Sequence, residues 1–244
     1  MPSLRHEFLA YAVPRVRRAA EIDDEPAERA RIERWHASLD RSLPTRAVPG
    51  FERRWSVLTE DVGGFPCYTL TRRGTTPRRT LLYVHGGAYM APIDPLHVRY
   101  VTRLATRLGA RVVLPDYPLA PEHTWRDSYA ALLGLAARVL GEPASLLAGD
   151  SAGGGYALAL AQGLRDQALP QAERMLLHSP WVDLTMSAPG TAAAAVWDPW
   201  LHPGKAHAYA GWWAGTPEDL ARTEVSPGLG ELAGLPGADA VRHP

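Results

Sequence analysis

Short apolar runs separated by stretches of helical period organise this chain. Residues 80–84 (Thr-Leu-Leu-Tyr-Val), 111–114 (Arg-Val-Val-Leu), 145–148 (Ser-Leu-Leu-Ala) and 175–178 (Met-Leu-Leu-His) have the character of strands buried on both faces. Between them, 95–109, 125–141 and the stretch to about 167 carry helical spacing, as in Tyr129, Leu132, Leu133, Leu135 and Val139. Strands alternating with helices predict an α/β fold: a mostly parallel sheet, helices on both faces, right-handed crossovers. Two earlier segments, 53–60 and 65–72, read as strands joined by a hairpin turn at Asp61-Val62-Gly63-Gly64.

Two regions stand outside this alternation. Residues 1–50 read as amphipathic helix, with Ile32, Trp35 and Leu39 on one face and Glu28, Arg29, Arg31 and Glu33 on the other. Residues 186–224 hold Trp197, Trp200, Tyr209, Trp212, Trp213 and several prolines. They are expected to form a second cap or lid, the alternative being an ordinary helical excursion, and aromatics there are core before they are substrate contacts.

Composition narrows the function classes. The 244 residues carry 26 Lys plus Arg and 26 Asp plus Glu, so nothing resembles a nucleic-acid footprint. Cys67 is the sole cysteine, which rules out an internal disulfide or a Cys-based metal site and fits a reducing compartment. The N-terminus is interrupted by Arg5, His6, Glu7 and Pro14 and lacks the apolar core of a secretory signal. No apolar stretch of about 18 residues occurs, so no membrane span is expected and a cytoplasmic protein is.

The candidate chemistry centres on Gly149-Asp150-Ser151-Ala152-Gly153, which lies between an apolar run and a helical stretch. That context is a strand–turn–helix elbow, where small neighbours let a tight turn close and Ser151 stands exposed as a nucleophile. A phosphate loop competes for Gly153-Gly154-Gly155, but no Gly-Lys-Ser/Thr follows. Directly after the run 81–84 comes His85-Gly86-Gly87-Ala88-Tyr89, whose adjacent glycines allow backbone N–H groups to converge on one point. With the N–H of Ala152 they would hold an oxyanion. No His-Glu-x-x-His or similar spacing occurs, so neither metal nor cofactor is expected.

These segments, YVHGGAYM (83–90), DYPLAPEHTW (116–125), AGDSAGGGYAL (148–158), LHSPWVDLT (177–185) and VSPGLGELAGLP (225–236), resemble the hormone-sensitive-lipase-like esterases of the α/β-hydrolase superfamily. The resemblance implies an α/β-hydrolase core with a helical cap, and cofactor-free hydrolysis of small-molecule esters of short or medium acyl chain. It implies Ser151 as nucleophile and Gly86, Gly87, Ala88 and Ala152 as the oxyanion region. His85, Gly149, Asp150 and Gly153 are support. Ala88 stands where a third glycine is more frequent, and Pro118 where Arg is usual. Glu122 and His123 match a buried structural motif.

A serine nucleophile needs a base and a carboxylate to orient it, in chain order Ser, Asp or Glu, His. The resemblance runs to Leu235-Pro236, before the positions that carry that Asp and His. The expected organisation is therefore a cap segment 1–50, a core 51–185, a second cap 186–224 and a truncated return 225–244, with the last strands missing. The strand near 175–179 would then be an open edge prone to self-association. Downstream of Ser151 remain His178, His202, His207, His243, Asp183, Asp198 and Asp239, with Asp198 and His202 spaced to share a helix face. Three functions are open: an ester hydrolase, a catalytically dead small-molecule-binding protein, or a gene remnant.

Overall fold

A computed structural model of the chain describes residues 21–198 and 200–241, with Phe8, Tyr11 and Ala12. The first part of the N-terminal cap segment and His243 lie outside the described residues. Seven strands are described: β1 (Trp55–Asp61), β2 (Pro66–Arg72), β3 (Arg79–Val84), β4 (Ala110–Pro115), β5 (Ser145–Asp150), β6 (Arg174–His178) and β7 (Ala238–Val241). They form one sheet in the order β1-β2-β4-β3-β5-β6-β7. The first three pair antiparallel, and β4, β3, β5, β6 and β7 run parallel.

The apolar runs became strands because their side chains serve two cores at once. Leu81 and Tyr83 pack into one cluster, with Val98, Val101 and Val112. Leu82 and Val84 pack into the other, with Leu132, Leu147, Leu160 and Leu164. The helices follow: α1 (Glu25–Ala37), α2 (Phe51–Arg54), α3 (Pro95–Leu108), α4 (Tyr129–Leu140), α5 (Ser151–Asp166), α6 (Thr191–Ala195) and α7 (Pro203–Ala214). Asp94 opens α3 by accepting the N–H groups of Leu96 and His97, and Gly109 closes it at φ +62°. In α5 every residue from Ala152 to Leu164 is buried, which makes it the central helix of the larger core.

Several expectations are corrected. Residues 51–54 are a helical turn, so the first strand starts at Trp55. The helix expected from 125 begins with a 3-10 turn at Trp125–Asp127 and becomes α-helical only from Tyr129. The strand near 175–179 is not an open edge, because Met175–His178 pairs in parallel with Ala238–Val241. That tail is a short Ala-Asp-Ala-Val segment without bulky side chains, and a parallel ladder is made by backbone groups. Glu122 and His123 are exposed rather than buried. Glu122 instead bonds the ring of His36 at 2.8 Å and so anchors α1.

Candidate active site

The elbow between β5 and α5 puts Ser151 at φ +51°, the left-handed region, and leaves its side chain exposed. For a residue with a Cβ this conformation costs about 1–2 kcal/mol. Close packing of the turn holds it there. A Cβ on Gly149 would overlap the backbone of Gly153, and one on Gly153 would overlap the carbonyls of Val84 and His85. The Trp181 N–H donates to the Ser151 carbonyl at 2.9 Å. Asp150 precedes the helix but does not cap it with its side chain. The first-turn N–H of Ala152 has no acceptor within α5.

The Asp150 carboxylate turns toward the end of β3. Its Oδ1 accepts the Gly86 N–H at 2.9 Å and the Tyr83 hydroxyl at 2.7 Å, and its Oδ2 lies 3.5 Å from His97 Nε2. Burial pushes this carboxyl up, but His97, Tyr83 and Gly86 outweigh it and hold it at about 2, so it is ionised at neutral pH. Gly86, expected among the oxyanion donors, is corrected on this ground: its N–H is engaged, and it ties the two turns together. Among the described residues the N–H groups of Gly87 and Ala88 donate to no other acceptor. Gly87 sits at φ +123°, and Ala88 and Tyr89 at φ +54° and +61°. The His85 ring is fully buried, with Nδ1 2.8 Å from the Gly86 carbonyl. Burial and the nearby His97 push it down to about 4, so it is neutral.

A family model described as alpha/beta hydrolase fold matches residues 81–239. The chain belongs to this α/β-hydrolase family. Relatives include a Mycobacterium tuberculosis protein named as the acetyl-hydrolase LipR, 30% identical over 179 residues, 72% of this chain and 58% of that one. The carboxylesterase NlhH of the same species is 32% identical over 170 residues, 65% of this chain and 53% of its own. The chain thus spans a little over half the length of these relatives. A crystal structure titled as a hormone-sensitive lipase from a metagenome library is 27% identical at a TM-score of 0.71, covering 96% of this chain and 76% of that one.

In this α/β hydrolase the tryptophans of 186–224 divide. Trp212 and Trp213 of α7 are buried, whereas Trp197 and Trp200 are exposed. Trp213 stacks on Tyr89 at 4.3 Å and meets Tyr117 and Tyr156 edge-on, so α7 packs directly on the turn that follows β3. Among the described residues, no hydrogen bond joins a downstream histidine to the Ser151 hydroxyl. His178 is bonded to Tyr100, and Asp183 to Thr185 and Ser187. Asp198 accepts the N–H groups of Trp200 and Leu201, and His202 precedes the first turn of α7, so the two share no helix face. No three described His, Cys, Asp or Glu side chains are grouped as a metal site needs. No described helix is long and apolar enough to cross a membrane.

Tyr83, His97, Asp116 and Tyr117 were not singled out from sequence, yet they surround the two turns. His97 did carry a signal: Asp94-Pro95 marks a helix start, and a side chain at the third helical position folds back on its cap. The Asp94 N–H donates to His97 Nδ1 at 3.0 Å, so the proton sits on Nε2, facing Asp150.

Proposed function

We propose that this chain carries the nucleophile and oxyanion donors of a carboxylic ester hydrolase. The observation that supports this most is Ser151 held at φ +51° on a strand-to-helix elbow beside unengaged backbone N–H groups. The Ser151 Oγ attacks the ester carbonyl carbon, and the N–H groups of Gly87, Ala88 and Ala152 receive the developing oxyanion. The C–O bond to the alcohol then breaks, the departing alkoxide takes up the proton that the Ser151 hydroxyl gave up on attack, and water hydrolyses the acyl–Ser151 ester, releasing the acid and restoring the hydroxyl. His85, Gly149, Asp150 and Gly153 hold the two turns, and the described residues 21–50 of the first segment, together with 186–224, form the cap. The names of the relatives favour short acyl esters, with a small-molecule ester as the substrate.

Reaction with a fluorophosphonate probe tests this, followed by p-nitrophenyl acetate hydrolysis. Covalent capture at Ser151, lost in Ser151→Ala, is the expected result. Absent capture in a folded chain would sink the hydrolase reading. A second reading draws on one fact: among the described residues the Ser151 hydroxyl has no hydrogen-bond partner, whereas an activated serine needs a base. On that reading the chain binds a small ester without cleaving it, and tight ester binding without capture would favour it. Self-association through an exposed sheet edge is measured by light scattering on the purified chain.

A further inference from the structure

Two buried acceptors face each other beneath the turn that follows β3. The Gly86 carbonyl can only accept, so His85 Nδ1, 2.8 Å away, must carry the ring proton. In a neutral ring Nε2 is then a bare lone pair. It lies 4.0 Å from Asp116 Oδ1, and neither atom has a hydrogen-bond partner among the described residues. Both side chains are deeply buried, His85 at 0% and Asp116 at 6% exposure. The ring is stacked on Tyr117 at 4.4 Å and 18°, and the Tyr117 hydroxyl donates to the His85 carbonyl at 2.7 Å. An ionised carboxylate opposite a bare imidazole nitrogen would leave two buried lone pairs unsatisfied.

The consequence reaches the proposed site through peptide geometry. The Gly86–Gly87 peptide is trans, the cis bond recorded in the chain being Ala120–Pro121. In a planar trans unit the C=O and N–H point in opposite directions. By gripping the Gly86 carbonyl, His85 Nδ1–H therefore aims the Gly87 N–H the other way. We propose that Asp116 is a positioning residue: it shares one proton with His85 Nε2, and this proton fixes the ring that orients the Gly87 donor. At 4.0 Å the two atoms are beyond direct hydrogen-bond reach, and a shift of about 1 Å brings them to share that proton. The proposal rests on the reading of Gly87 as an oxyanion donor.

The surroundings make the proton titratable near neutrality. Burial raises the Asp116 carboxyl to about 6, with Arg41 opposing, while Asp40 and Tyr68 lie on the same side. Burial lowers His85, His97 lowers it further, and Asp150 and Asp94 oppose. A carboxyl raised in the fold favours the folded state at low pH and loses that contribution as pH rises from 3.8 through about 6. A lowered imidazole acts in the opposite sense, losing its contribution as pH falls from 6.5 through about 4. The two effects offset each other while the pair is intact.

The test uses the full chain labelled with 15N-histidine and 15N-glycine, in wild type, Asp116→Asn, Asp116→Leu and His85→Gln, across pH 5 to 8. His85→Gln assigns the ring signal. The expected wild-type result is a His85 ring protonated at Nδ1, with an Nε2 shift that moves as the shared proton leaves. In Asp116→Asn, whose amide donates at every pH, that movement flattens. In Asp116→Leu the Nε2 shift and the Gly87 amide shift both depart from wild type. Fluorophosphonate capture at Ser151 should be about tenfold slower in Asp116→Leu than in Asp116→Asn. A ring protonated at Nε2, or His85 and Gly87 signals unmoved in Asp116→Leu, would overturn the proposal. Wild-type capture failing while the spectra behave as stated would defeat the hydrolase reading and leave the pair standing.

Discussion

The turns after β3 and β5 end neighbouring strands at the same edge of the sheet, and both enter left-handed backbone by different means. In the elbow the strained residue is Ser151, and it is flanked by glycines because their missing Cβ atoms are the only space available. In the turn after β3 the strained residues are Ala88 and Tyr89 themselves. What holds them is packing and hydrogen bonding. The Tyr89 ring is buried against Trp213, its carbonyl accepts the Ala120 N–H, and the Gly87 carbonyl accepts the N–H groups of Met90 and Ala91. Both turns need their own glycines, since a Cβ on Gly86 would meet Asp150 and one on Gly87 the Ala91 carbonyl, but the turn after β3 is held in addition by what packs on it from elsewhere. Asp150 joins them, since it precedes the serine in one turn and grips Gly86 in the other.

That contrast can be broken at four points. Ser151→Ala should reduce fluorophosphonate capture and ester turnover to background, by on the order of 10⁶ where the site is fully activated, with stability little changed. Asp150→Leu should cost about 3–5 kcal/mol in urea unfolding, because the Gly86 N–H and the Tyr83 hydroxyl lose their buried acceptor. The lowered Asp150 pKa gives this prediction a sign: its contribution is present above the usual carboxyl range and is lost as pH falls from 3.8 through about 2, a loss the variant should lack. Gly153→Ala should cost about 3 kcal/mol, since the new methyl meets two backbone carbonyls that cannot step aside. Ala88→Gly should do the reverse, raising stability by up to about 1 kcal/mol as left-handed strain is relieved against a looser unfolded chain. Equal losses at Gly153 and Ala88 would erase the distinction.

The same contrast explains what could be read from the chain. Leu81, Leu82, Tyr83 and Val84 announce a doubly buried strand because burial repeats along it, and Ser151 is legible because its neighbours must be small. Gly86 looked like its neighbours Gly87 and Ala88, since no pattern reports which N–H a carboxylate 64 residues away will take. Asp116 and Tyr117 were hidden inside a motif that reads as a unit, and their roles depend on where β4 ends relative to β3. Ala238–Val241 was missed for the opposite reason: a four-residue Ala-Asp-Ala-Val run is too short and too small to stand out as a strand, and its pairing with β6 appears only once the sheet is assembled. Hydrophobic period locates elements, while the contacts at their ends follow from how the elements are assembled.

Glu21, Glu25 and Glu28 each reach α7, across 181–187 positions of sequence. Glu21 takes the N–H groups at the start of that helix, Glu25 takes the Trp212 indole, and Glu28 takes the Tyr209 hydroxyl. Fastened along its length, α7 has no freedom to swing as a separate flap. The two remote stretches, bridged at the helix start, at Tyr209 and at Trp212, instead move as one stiff unit, and displacing either means displacing both.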